Sequence, residues 1–129
     1  MAKTILHVDD AQTILMFAKF LLDKGGYNVL QAASGQQALD TIKADYSGID
    51  MVVMDYQMAE MNGAEATRAL RQYEATLGGK NRNLPVIMAT ARGEENVRKD
   101  CTAAGCTDFV TKPLIPKEFM RVVDQYFQK

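Results

Sequence analysis

The 129-residue chain predicts an α/β fold, a three-layer α/β/α sandwich, on three observations. Short apolar runs alternate with longer amphipathic stretches five times over. The runs lack the in-out alternation of a half-exposed sheet, and most of them end on a polar or charged residue. Strands apolar on both faces belong to a parallel sheet covered on each side. Right-handed crossovers then limit the topology to a doubly wound sheet.

The elements follow in order. Residues 3–8 form a compact apolar run closed by Asp9 and Asp10. Over residues 11–24, Ile14, Phe17, Ala18, Leu21 and Leu22 recur at helical spacing and are expected on one inner face. Gly25-Gly26 stops that helix, because glycine accepts the left-handed turn that follows one. Residues 28–32 read as the second strand. Ser34, with Gln37 three residues on, forms a capping-box pattern ahead of a helix whose inner face is Ala38, Leu39 and Ile42. Residues 51–54 are the third run, closed by Asp55. Asn62-Gly63 opens a helix with Ala66, Leu70, Tyr73 and Leu77 on one side, and residues 78–83 make a polar loop. The fourth strand, 85–89, ends at Thr90. The next helix groups Val97, Cys101 and Ala104 and ends at Gly105. Residues 109–111 are a short fifth strand ending at Lys112-Pro113. Pro116 starts the last helix, where Phe119, Val122, Val123 and Tyr126 share a face.

A chain of this length fits one domain, taken as residues 1–129, and its 47% apolar content suffices for a core. A net charge of −1 offers no basic field for nucleic acid or an anionic membrane. No apolar run approaches the ~20 residues of a membrane span. Two cysteines, Cys101 and Cys106, do not suggest an oxidised scaffold, so the expected compartment is the cytoplasm, with both thiols reduced.

In a doubly wound sheet ligands bind beyond the carboxyl ends of the strands. Asp9-Asp10, Asp55, Thr90 and Lys112 close four of the five strands, so the fold gathers them on one rim. Three carboxylates and one ammonium sum to −2. Like charges about 4 Å apart repel by roughly 4 kcal/mol at an effective dielectric of 20, so the empty rim is frustrated. A hard divalent cation relieves it, and an all-oxygen set suits Mg²⁺, with Mn²⁺ as a substitute. An anion can then approach. Asp55 becomes the nucleophile toward a phosphoryl donor, giving an acyl phosphate. Metal and Lys112 share the charge on the transferred oxygens, and the Thr90 hydroxyl donates to one of them.

These residues lie in the stretches "ILHVDD", "DYQMAEMNG", "MATA" and "DFVTKP", and from residue 3 to the last helix the chain resembles the response-regulator receiver family. The resemblance implies the five-stranded parallel sheet order 2-1-3-4-5, shared by flavodoxins and chemotaxis receivers. It implies that Asp55 is the phosphoacceptor. Asp10, Asp55 and the backbone carbonyl of Gln57 would ligate Mg²⁺, with Asp9 acting through water. Lys112 would pair with the phosphate, and Thr90 and Phe109 would be coupled switch residues, Phe109 turning inward as Thr90 moves. The implied phosphodonor is the phosphohistidine of a sensor kinase or histidine phosphotransfer protein. The implied output surface is the face of the fourth helix, fifth strand and fifth helix, signalling to an unnamed protein target as a monomer or a phosphorylation-dependent dimer. Such a domain is no enzyme beyond slow self-phosphorylation and self-dephosphorylation. Three features depart from the pattern. Ala59 stands where proline is usual, a change of about 0.4–1 kcal/mol through unfolded-state entropy. Phe109 replaces a commoner tyrosine, and Gln57 and Arg92 flank the site where they influence water access.

Plainer readings apply elsewhere. His7 sits inside the first strand as a packed core histidine. The cysteines lack a partner pair for zinc, and Cys101 packs beside Val97. The methionines fill core space, with Met58 and Met61 placed to shape a docking surface. The charges of "RGEENVRKD" form a solvated helix face. A phosphatase of the haloacid dehalogenase type would need an acid where Gln57 stands. A flavin module would need a Ser/Thr/Gly-rich phosphate cradle where Asp9-Asp10 stand. A switchless interaction module would have no use for the complete acidic set. No output domain follows the last helix, which leaves a stand-alone receiver or a piece of a longer chain.

Overall fold

The structure is a computed structural model and describes residues 2–91 and 93–127. Five strands and five helices alternate: β1 (Thr4–Val8), α1 (Gln12–Lys24), β2 (Asn28–Ala32), α2 (Gly35–Ala44), β3 (Met51–Asp55), α3 (Gly63–Ala75), β4 (Val86–Ala91), α4 (Glu95–Ala104), β5 (Asp108–Lys112) and α5 (Pro116–Gln125). Short 3-10 turns at Tyr46–Gly48 and Gly78–Lys80, both unforeseen in the sequence, join α2 to β3 and α3 to β4. All strand pairs are parallel, in the order β2-β1-β3-β4-β5. The expected sandwich and strand order are both present.

Successive side chains of a strand point to opposite faces, and the core divides accordingly. Leu6, Val8, Val52, Met54, Val86 and Met88 pack with residues of α2, α3 and α4. Ile5, Met51, Val53, Ile87 and Ala89 pack with residues of α1 and α5. The central strand β3 is therefore buried along its whole length, including the terminal Asp55.

α1 corrects one expectation. Leu15, Ala18 and Leu22 are its buried residues, whereas Phe17 is 42% exposed. Phe17 is adjacent in sequence to Ala18 and so lies about 100° around the helix from the centre of the buried stripe. It belongs to a second, outward stripe with Met16 and Phe20. α1 is apolar on two sides. After it, the left-handed residue is Gly26, with φ of 87°.

The cap of α2 is only half of the expected box. Ser34 accepts from the Gln37 backbone N–H at 3.1 Å, but the Gln37 amide oxygen accepts from Ala33 N–H rather than from Ser34. The complete reciprocal box is at α3, between Asn62 and Glu65. Among the described residues no helix is long and apolar enough to cross a membrane.

Candidate functional site at the carboxyl edge of the sheet

β1 and β3 are neighbours, with Val8 opposite Met54, so the residues that follow, Asp9 and Asp55, emerge side by side. Gly63 fixes the backbone beneath them. Its N–H donates to the Tyr56 carbonyl at 2.8 Å, and a Cβ there would stand 2.6 Å from the Asp55 carbonyl oxygen. Only glycine lets α3 start this close to the strand end. Asp9, Asp10 and Asp55 each present a carboxylate oxygen, all within 4.8 Å of one another. Asp9 and Asp55 are buried and Asp10 is exposed.

Lys112 reaches them from β5, two strands away from β3. Its ammonium donates to Asp9 Oδ2 and to Asp55 Oδ1, each at 3.0 Å. The β4 residues in register with Asp55 and Lys112 are Ala89 and Ala91, small enough for the lysine stem to cross. Lys112, expected to pair with phosphate, here bridges two carboxylates with its ammonium. Asp9 has both oxygens engaged, since the other one accepts from Ala11 N–H at 2.9 Å. Asp10 has no hydrogen bond or ion pair among the described residues, and Asp55 keeps its second oxygen likewise unpaired.

Burial pushes the Asp55 carboxyl up to about 6. Lys112 opposes that rise and Asp9 and Asp10 reinforce it. Burial works against the Lys112 charge too, but its bonds to Asp55 and Asp9 prevail and raise its pKa. His7, buried beneath Asp9, is lowered to about 4 by desolvation and stays neutral, with Nδ1 unpartnered among the described residues. It is the core histidine that the sequence suggested.

A cleft of about 220 Å³ opens beside Asp55, lined by Gln57, Thr90, Ala91, Glu94 and Lys112 among others. Thr90 is buried, and its hydroxyl donates at 3.3 Å to the Ala91 carbonyl and lies 3.5 Å from Glu94 Oε2. Phe109 does not line this cleft. It is half-buried against the α2–α4 side of the core, with the Arg98 guanidinium 4.8 Å from its ring centre. Register places Thr90 opposite Thr111 and Phe109 opposite Met88, so the two share one sheet face diagonally. Gln57 is exposed at the mouth, and Arg92 lies outside the described residues. Met58 and Met61, expected to shape a docking surface, are partly buried and pack one side against the core.

Sequence reasoning missed Glu94, which it left in a solvated helix face. Glu94 precedes the first residue of α4, and no periodicity argument reaches a residue outside the helix. Its spacing four residues after Thr90 is the signal that was available.

These acids, the lysine and the threonine stand together at the carboxyl edge of a 2-1-3-4-5 parallel sheet, the flavodoxin-like class of fold. Residues 5–124 match the family described as the response regulator receiver domain, and the chain belongs to that family. Among curated relatives, the transcriptional regulatory protein YvrH of Bacillus subtilis is 35% identical over 89% of this chain, which covers 45% of that protein. The chain spans less than half the length of such transcriptional relatives. Among solved structures, a putative response regulator from Chloroflexus aurantiacus aligns over 100% of both chains at 28% identity and a TM-score of 0.87. The receiver domain of sensor histidine kinase PA1611 from Pseudomonas aeruginosa, solved with a magnesium ion coordinated in its active site cleft, aligns over 100% of both chains at 27% identity and a TM-score of 0.83. Domains of this family are signalling modules of two-component systems rather than classical enzymes.

Proposed function

We propose that Asp55 accepts a phosphoryl group from the phosphohistidine of a sensor kinase or a histidine phosphotransfer protein. The observation that carries this is the imbalance at the rim: three carboxylates within 4.8 Å, met among the described residues by the ammonium of Lys112 alone. An Asp55 oxygen would form the new bond to phosphorus as the phosphorus–nitrogen bond to histidine breaks. The histidine nitrogen keeps that electron pair, and an acyl phosphate results. The donor set fits Mg²⁺, being all oxygen, anionic and open at Asp10 and at the free oxygen of Asp55. The Gln57 carbonyl completes the inferred ligands, and Asp9, with both oxygens engaged, would act through water. Bound Mg²⁺ would offset the acidic charge and the charge of the incoming oxygens. The magnesium seen in the PA1611 receiver domain supports the assignment.

Lys112 would then exchange a carboxylate for a phosphoryl oxygen, and the loosely held Thr90 hydroxyl would turn to another. Phe109 borders a groove of about 180 Å³ between α4, β5 and α5, lined also by Arg98, Ile115 and Arg121. That groove is the inferred output surface, presented to a protein target by one cytoplasmic receiver domain spanning the chain. Incubation with radiolabelled acetyl phosphate should label the protein in Mg²⁺ and not in chelator, with labelling lost in Asp55→Asn and weakened in Asp10→Ala. Labelling of Asp55→Asn at the wild-type level would refute the assignment.

A further inference from the structure

The cleft beside Asp55 contains a carboxylate that neither a metal nor the transfer chemistry calls for. Glu94 is half-buried, lines that cleft with Asp55, Thr90 and Lys112, and directs Oε2 to within 3.5 Å of the Thr90 hydroxyl. It occupies the N-cap position of α4, where Ser, Thr, Asp and Asn are favoured because their short side chains reach the free N–H groups. Glu94 makes no such cap bond. Its backbone carbonyl receives the first helical N–H, from Arg98 at 3.0 Å, while its side chain turns away from the helix and into the cleft. Gly93, with φ of 82° and open space where a side chain would be, allows the chain to turn just before it.

We infer that Glu94 is a positioning residue that holds the site in its unphosphorylated form and couples phosphorylation to the start of α4. This rests on the reading of Asp55 as phosphoacceptor. Two effects act together. The carboxylate offers the Thr90 hydroxyl an acceptor away from Asp55. Both contacts of that hydroxyl are long, at 3.3 and 3.5 Å, so releasing it costs little. The carboxylate also places a negative charge beside the volume that a phosphoryl group on Asp55 would fill. Like charges at that range repel, so the Glu94 side chain must leave when the phosphoryl group arrives. Because Glu94 is the residue at which α4 begins, a backbone shift that carries its side chain out of the cleft moves the first turn of α4, whose Arg98 lies over the Phe109 ring. Local electrostatics is thereby transmitted to the α4–β5–α5 groove through one residue.

The test is beryllofluoride binding in saturating Mg²⁺, followed by the Thr90 and Val97 backbone amide resonances. Glu94→Gln keeps an acceptor for Thr90 but removes the charge, and should bind beryllofluoride about fivefold more tightly than wild type. That gain should shrink in high salt, which screens the charge. Glu94→Asp keeps the charge on a shorter stem, so it should lose the Thr90 contact and shift the Thr90 amide in the free protein. In Thr90→Ala, the remaining effect of Glu94→Gln isolates the repulsive part. Beryllofluoride uptake that Glu94→Gln and Glu94→Asp leave unchanged overturns this inference alone. No uptake by the wild type overturns the phosphoacceptor reading and this inference with it.

Discussion

Two carboxylates are buried at opposite ends of the sheet, and each lies beside a cation. Asp55 is 4% exposed and meets Lys112; Glu74 is 1% exposed and meets Arg71. At the far end everything is matched. Glu74 accepts from the Tyr46 hydroxyl, from Leu84 N–H at 2.7 Å and from Arg71 Nη1 at 2.7 Å. Arg71 spends its other donors on the Leu84 and Gly105 carbonyls, and Arg82 N–H donates to the Tyr46 hydroxyl at 3.1 Å. One acid faces one guanidinium, and every polar group in the set has a partner. At the rim, among the described residues, Lys112 bridges Asp9 and Asp55 and leaves Asp10 without a cation. Burial of a charge therefore does not mark a site in this molecule. Imbalance does.

The largest effect should come from breaking the balanced end. Glu74→Ala would leave the half-buried Arg71 without its anion and Leu84 N–H and the Tyr46 hydroxyl without their acceptor, a loss of about 3 kcal/mol of stability. Urea denaturation at neutral pH measures it, and a loss of under about 1 kcal/mol would show that the network does not tie α3 to β4 and the end of α4.

The next effect sharpens the contrast from the other side. Mg²⁺ at about a hundred times its dissociation constant should stabilise the wild type by roughly 2.7 kcal/mol, because only the folded chain assembles the three acids. Thermal melting with and without the ion reads this directly. Asp10→Ala, which removes the unpaired carboxylate, should need markedly more Mg²⁺ for the same shift. An equal response in both proteins would remove Asp10 from the inferred ligand set.

The two ends also differ in how legible they were. The rim was readable because topology does the work: any polar residue closing a parallel strand goes to one edge, so Asp9, Asp10, Asp55, Thr90 and Lys112 could be gathered without coordinates. That Lys112 bridges Asp9 and Asp55 was not readable, since it depends on a stem crossing Ala89 and Ala91 in register. Glu74 passed unnoticed for a related reason. Arg71 stands at helical spacing from it, but Tyr46 and Leu84 come from a 3-10 turn and from the loop before β4, and no repeat of 2 or 3.6 residues links those two to it. Helical periodicity also misjudged Phe17, because α1 is apolar on two sides and hydrophobicity alone does not say which side faces the sheet.

The smallest predicted effect is the one whose sign separates the two ends. Without metal, Asp55→Asn should raise stability at neutral pH by about 1–2 kcal/mol, the opposite of Glu74→Ala. The asparagine oxygen can still accept from Lys112, while the charge that burial and the two neighbouring acids disfavour is gone. The direction with pH follows. Asp55 titrates near 3.8 when unfolded and near 6 when folded, so between those values the folded chain binds more protons than the unfolded one. Stability therefore falls as pH rises through that window, and the cost of the folded carboxylate is complete above about 6. The gap between Asp55→Asn and wild type should close as pH drops toward 4 in chelator, where both side chains are neutral. Adding Mg²⁺ at neutral pH should reverse the order, because the carboxylate then has a ligand that the amide holds poorly. A gap that stays constant across the window would mean that Asp55 is no more strained than Glu74.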